Sequence, residues 1–187
     1  MSKEFQRCTW VTNDFLYLKY HDKEWGVPEH RDRKLFEMLV LESMQAGLSW
    51  LIILSKRDNY RKSLDNFDYK KISLYDKNKI TDLLNNRGII RNKLKVNSIL
   101  NNAKIFMKIQ LEYGSFDEYI WNFVNYKIVN DEDKQVIAEK VNKEFKKKGF
   151  KFIGPKICYS FMESIGIFNN HNKYCFRYKQ IEKLNNI

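Results

Sequence analysis

The chemistry this 187-residue chain could carry begins with one carboxylate, Glu42. In LFEMLVLESMQAGLSW, residues 35–50, Leu35, Leu39 and Ala46 recur at i, i+4 and i+11 on one helical face, and Glu42 fills i+7 of that stripe. A carboxylate on an apolar stripe is expensive unless it is paired, hydrogen-bonded or used. Trp50, beyond the break at Gly47, can lie over it. An acidic side chain in an aromatic-walled pocket is a pattern of binding and catalytic sites. The alternative is that Glu42 bonds a helix N-terminus or pairs with a Lys or Arg in the core.

A second constellation is built from sulfur and imidazole. Three Cys, odd and sparse, argue against a disulfide framework. Cys8 and His21 lie near the N-terminus, while His171 and Cys175, spaced H-x3-C, lie near the other end. An i, i+4 spacing can put two ligands on one side of a helical turn. Two more from the far end of the chain would complete a tetrahedral Cys2His2 zinc site, closed to water and therefore structural. H-x3-C alone is a weak motif, and four unrelated residues are the alternative. Cys158, inside an apolar run, reads as packing, and His30, beside Pro28, as surface.

The elements that must position these residues read as helices. Seven Gly and two Pro are few breakers for a chain this rich in Lys, Leu, Ile and Glu. Asp14 can cap a turn of helix over residues 15–20, ended by Gly26 and Pro28. Asp32 is expected to N-cap a helix running to about Met44. Ser49 can cap the next, with Trp50, Ile53, Leu54 and Leu64 inward and Lys56, Arg57, Arg61 and Lys62 facing water. Asp68 and Asp76 look like caps of short helices. Gly88 follows one helical pattern, and another begins near Asn92 with Ile99, Phe106 and Ile109 inward. The join should be about four residues long. Its outward N–H groups, followed by Arg91, Lys93 and Lys95, suit phosphate; an ordinary helical hairpin is the alternative. Ser115 and Glu118 form a capping box, and residues 125–134 a connector. Lys134–Lys148 reads as a basic amphipathic helix with Val136, Ile137, Val141 and Phe145 inward, and Pro155 opens the next helix. There is no strand ladder, repeat or low-complexity linker, so one all-α domain over residues 1–187 is expected.

Net charge is +11, spread along the chain. A compact domain this basic is a candidate for a polyanion, most often nucleic acid, with an anionic membrane surface as the competitor. No apolar run approaches membrane-spanning length, and MSKEFQRC lacks the apolar core of a signal peptide. A soluble monomer, cytoplasmic or nuclear, is expected. Trp10, Phe15, Tyr17, Tyr20 and Trp25 crowd the first thirty residues, where they can form a packed lid or a surface on which bases stack.

Together RCTW, YHDKEWGVP, KLFEMLVLES, QAGLSW, RDNYR, GIIRNKLK, WNFVN, KKKGFKFIGPKICYSFMESIG and HNKYC make the chain resemble, over nearly its whole length, the type I 3-methyladenine DNA glycosylases, a branch of the helix-hairpin-helix repair glycosylases. The resemblance implies an all-α fold whose hairpin, around residues 87–95, grips DNA. Gly88, Ile89, Arg91, Lys93 and Lys95 are the implied DNA contacts. It implies a structural zinc on Cys8, His21, His171 and Cys175, joining a segment of residues 1–30 to one of 171–187. It implies a base pocket of Tyr17, Tyr20, Trp25, Glu42 and Trp50, with Glu42 as the catalytic residue. The implied reaction is hydrolysis of the N-glycosidic bond of 3-methyladenine in double-stranded DNA, leaving an abasic site and the free base. Two departures stand out. AKIFMKIQLEYG has no Asp where most helix-hairpin-helix glycosylases carry a catalytic one, and GIIRN lacks the second glycine of the usual hairpin. Rival readings are a non-catalytic DNA-binding module, a zinc hydrolase and a membrane-surface protein. The second needs an open metal position, and no HExxH is present.

Overall fold

A computed structural model describes residues 5–130 and 133–186. The start of the N-terminal stretch, two residues of the expected connector and Ile187 therefore lie outside the described residues. Among the described residues, ten α-helices run in the order α1 (Phe15–Lys23), α2 (Asp32–Gln45), α3 (Trp50–Ser63), α4 (Tyr69–Ile72), α5 (Lys77–Asn85), α6 (Lys93–Tyr113), α7 (Phe116–Trp121), α8 (Lys134–Lys148), α9 (Pro155–Ser164) and α10 (Tyr178–Glu182). Among the described residues the β-structure is an isolated bridge between Val129 and Phe168. Among the described residues, no helix is long and apolar enough to cross a membrane.

Local capping chemistry explains most of these boundaries. Asp14 accepts from the Leu16 N–H, Asp68 from Lys70 and Lys71, Asp76 from Lys79, and Ser115 from Glu118. Pro155 takes the first turn of α9, and Gly149 closes α8 in the left-handed region at φ +91°. Asp32 departs from expectation. It lies inside α2, whose N-cap is Arg31, and its carboxylate instead accepts from the Phe116 and Asp117 N–H groups at the start of α7. An N-terminal carboxylate on one helix thus holds the N-terminus of another.

Helix α2 is the axis of the molecule. Residues 35–44 are all buried, Glu37, Glu42 and Ser43 included, so this is a core helix and not the one-sided amphipathic helix its stripe implied. Ala46, expected on the apolar stripe, is exposed just past the helix end. Phe106 of α6 stacks on Phe116 of α7 at 4.1 Å, and Phe145 and Phe161 bring α8 and α9 against the same cluster. Helix α8 has the expected bounds and buries Val141 and Phe145, but Val136 stands 67% exposed and Ala138 and Asn142 turn inward instead.

Arg57 also departs from expectation. It is buried, not facing water. Its Nε donates to Glu37 at 2.8 Å and its Nη1 to Glu24 at 2.7 Å. Glu37 further accepts from Lys34 and Arg61. One of the two carboxylates buried in α2 is therefore fully paired, and these cations hold its carboxyl below the ordinary range despite its burial.

Candidate base-binding site and metal cluster

Glu42 is the other carboxylate of α2, and it is not paired. It is 3% exposed, and its Oε2 has no hydrogen-bond partner among the described residues. Burial, with a contribution from the charge of Glu163, pushes its carboxyl well above the ordinary range. The carboxylate lines a cavity of about 220 Å³. Tyr20 from α1 and Trp50 from α3 meet there with ring centroids 5.3 Å apart, and Trp10 and Trp25 form another wall, edge to face at 5.0 Å. The indole Nε1 of Trp50 is also buried without a partner. Two unsatisfied polar groups around an aromatic-walled space are an unusual expense in a native interior, and a planar ligand with polar edges would satisfy both.

Of the pocket residues expected from the sequence, Tyr20, Trp25, Glu42 and Trp50 line the cavity. Tyr17 is not among its lining residues. Its hydroxyl accepts the Leu51 N–H at 3.2 Å and its ring meets Trp10 edge-on, so it supports the wall from behind. Trp10, Gln45, Ser160 and Glu163 line the cavity but were not singled out for it. Ser160 and Glu163 sit three residues apart on α9, beside the buried Cys158, Phe161 and Met162. That is the same polar-on-apolar signal that marked Glu42.

The four sulfur and imidazole residues converge. Cys8, His21, His171 and Cys175 are all buried, and their ligand atoms lie within 4.8 Å of one another. The Cys175 Sγ is 3.5 Å from His21 Nε2 and 3.6 Å from His171 Nδ1, and the Cys8 Sγ is 3.6 Å from the same Nδ1. A tetrahedral ion with Zn–S near 2.3 Å and Zn–N near 2.05 Å has S···N edges of about 3.6 Å. The outer nitrogens are engaged as metal-bound imidazoles require. His21 Nδ1 meets Asp22 at 2.8 Å, and His171 Nε2 meets the Trp25 carbonyl at 3.1 Å. Backbone N–H groups of Asn172 and Arg177 donate to the two sulfurs. Without a cation, burial pushes the Cys8 thiol up to about 12 and the His171 imidazole down to about 4. The cluster also touches the cavity. Trp25, one of its walls, packs edge-on against His171 at 4.6 Å. A Cβ on Gly26 (φ +77°) would come to 3.0 Å from His171 Nε2, so a side chain there would press on the cluster.

The hairpin between α5 and α6 is longer than expected, spanning residues 86–92. Its N–H groups do not all point outward. Gly88 donates to the Asn86 side chain, Ile89 to the Asn86 carbonyl and Ile90 to the Tyr60 hydroxyl. Ile89 is buried, whereas Arg87, Arg91 and Lys93 are exposed. Lys95, expected as a phosphate contact, is buried, and its ammonium donates to the Met44 and Ala46 carbonyls at 2.9 and 2.7 Å. Those are unpaired carbonyls at the end of α2, and Lys95 caps them. Lys95→Met should therefore lower stability by about 1–3 kcal/mol in urea unfolding. Unchanged stability with weakened DNA affinity would return Lys95 to the DNA face.

Comparison with known proteins identifies this arrangement. The methyladenine glycosylase profile matches residues 10–178. The chain belongs to the methyladenine glycosylase family. It is 42% identical to the DNA-3-methyladenine glycosylase of Haemophilus influenzae, over 90% of this chain and 96% of that protein. The crystal structure of a 3-methyladenine DNA glycosylase I superposes with a TM-score of 0.87 at 43% identity, covering 91% of this chain and 98% of that one. A second glycosylase I, solved in complex with 3-methyladenine, superposes with a TM-score of 0.85 at 34% identity, covering 91% and 96%. Family membership, with an all-helical fold and a buried Cys2His2 cluster, narrows the rival readings.

Proposed function

We propose that this chain is a monofunctional DNA-3-methyladenine glycosylase whose base pocket is the cavity around Glu42. The observation that carries this reading is the orphaned Oε2 of Glu42, buried among Trp10, Tyr20, Trp25 and Trp50, beside a fully paired Glu37 on the same helix. Adenine methylated at N3 in DNA is a cation with a weak glycosidic bond. It needs selection and extrusion from the duplex more than acid assistance, which makes the absence of an Asp from residues 103–113 of α6 intelligible. In the pocket Glu42 accepts from the adenine edge, and the aromatic faces add a cation–π contribution of about 0.5–2 kcal/mol. The C1′–N9 bond breaks with its electron pair passing to N9, which leaves the base neutral; water adds at C1′ and gives up a proton to solvent, and an abasic site remains.

The DNA contacts follow from the charge distribution. Exposed Arg87, Arg91 and Lys93 can hold the phosphates beside the hairpin, with Gly88 and Ile89 shaping the turn rather than donating from it. The Cys8–His21–His171–Cys175 cluster would hold zinc as a closed structural site, supplying a tie between the two ends of the chain.

The decisive experiment is incubation of the protein with methylated duplex DNA and chromatographic identification of the bases released. Free 3-methyladenine and matching abasic sites are expected. DNA binding with no released base would instead make this a binding module on a glycosylase fold.

A further inference from the structure

Glu42 does not line the cavity as its only acid. Glu163, from α9, lines the same 220 Å³ space. Its carboxylate is held in place from behind, where the Asn170 side-chain amide donates to it, donates also to the Tyr159 hydroxyl at 2.9 Å, and accepts from Lys134 at 2.7 Å. The groups facing the two carboxylates are Tyr20 from α1, Gln45 at the end of α2, Trp50 from α3 and Ser160 from α9, with Lys134 of α8 acting on Glu163 through Asn170. Among the described residues, no Lys, Arg or His lines the cavity itself. Two acids therefore share one small aromatic space without a cation in it.

We propose that Glu163 is a specificity-determining residue of the base pocket, a second carboxylate that acts with Glu42 to favour a cationic purine over neutral adenine. The inference rests on the base-pocket reading above. Two like charges in one dry space cannot both ionise cheaply, and both carboxyls are raised, chiefly by burial. On this proposal the pair holds a proton before a base binds. A methylated base brings its own positive charge and takes the place of that proton, whereas neutral adenine brings none. Cleavage leaves the glycosidic electron pair on N9, so the base becomes neutral. The pair then takes a proton back from solvent, and the product leaves a pocket matched to a cation.

The test uses 3,9-dimethyladeninium, a permanent cation with nothing to excise, and its neutral counterpart 9-methyladenine. Affinity is followed by tryptophan fluorescence, and proton release by calorimetry in buffers of different ionisation enthalpy. The wild-type protein should prefer the cation and release protons on binding it. Glu163→Gln keeps an oxygen for Asn170. It should lose about tenfold in affinity for the cation and under about twofold for the neutral ligand, with reduced proton release. Glu163→Asp, which keeps the charge, should retain the preference. An unchanged cation-to-neutral ratio in Glu163→Gln, or equal losses on both ligands, overturns the proposal. If the wild-type protein shows no preference, or Glu42→Gln leaves binding unchanged, the base-pocket reading fails and this inference fails with it. If both behave as expected and Glu163→Gln keeps its ratio, this inference alone is wrong.

Discussion

Glu42→Gln should lower excision of 3-methyladenine by about 100-fold while raising the stability of the folded protein. The two effects have one cause. Glu42 is buried with an unpartnered oxygen, so the folded chain carries a polar group that the protein itself leaves unsatisfied. Removing its charge takes away the acceptor that favours a cationic base, and losses of about 10²-fold are typical for one preorganised electrostatic contact. The same substitution removes a desolvated acid. The sign follows from linkage. The folded carboxyl is raised above its unfolded value, so the unfolded chain holds fewer protons once pH rises past the ordinary carboxylate range. Wild-type stability should therefore fall as pH rises from about 5 toward 8, and Glu42→Gln should flatten that fall and gain about 1 kcal/mol at neutral pH. Single-turnover base release and urea unfolding at several pH values measure both. If excision stays within about twofold of wild type, Glu42 is a core acid and not a pocket residue.

Glu42 was legible because it broke a pattern. A stripe with Leu35 and Leu39 on it left one polar position to explain, and burial confirmed that the position is anomalous. The helix starts were legible because capping is local: Asp14, Asp68, Asp76 and Ser115 each bond an N–H within three residues. What stayed hidden depends on partners far away in sequence. Arg57 and Lys95 looked like solvent cations, since no local rule says that Glu37 and the end of α2 will need them. Asp32 looked like a local cap because its real partners, at the start of α7, follow more than eighty residues later. Glu163 was missed although it stands on an apolar helix as Glu42 does. Only the packing of α9 against α2 brings the two acids to one cavity. For the metal cluster, spacing supplied one weak pair. Family resemblance joined it to Cys8 and His21, and the geometry brings all four within 4.8 Å.

If the Cys2His2 cluster holds zinc as proposed, chelation should cost base affinity as well as stability, which separates a structural ion from a catalytic one. The cluster and the pocket share elements. His21 directly follows Tyr20 on α1, and the Trp25 carbonyl meets His171 Nε2 at 3.1 Å while the Trp25 ring lines the cavity. Arg7 forks onto Asp22, which in turn meets His21, so the N-terminal segment is tied to the cluster through a charged chain as well. With the ion gone, two thiols and two imidazoles are left facing one another in a dry interior, held by packing alone. Binding energies of structural zinc in small sites run to about 10 kcal/mol or more, much of which appears as folding energy. Chelation, or Cys175→Ser, is therefore expected to lower Tm by about 10 °C or more and to loosen Tyr20 and Trp25, so that free 3-methyladenine binds at least about tenfold more weakly. The check is metal content, thermal melting and base titration on one preparation before and after chelation. A chelated protein that melts as before and binds the base as before, but no longer turns over, would assign the ion to the reaction. Four protein ligands would close such a site to water, so the expected outcome is the reverse: residual turnover should decline in step with base affinity, because the Trp25 ring that lines the cavity packs against His171 of the cluster.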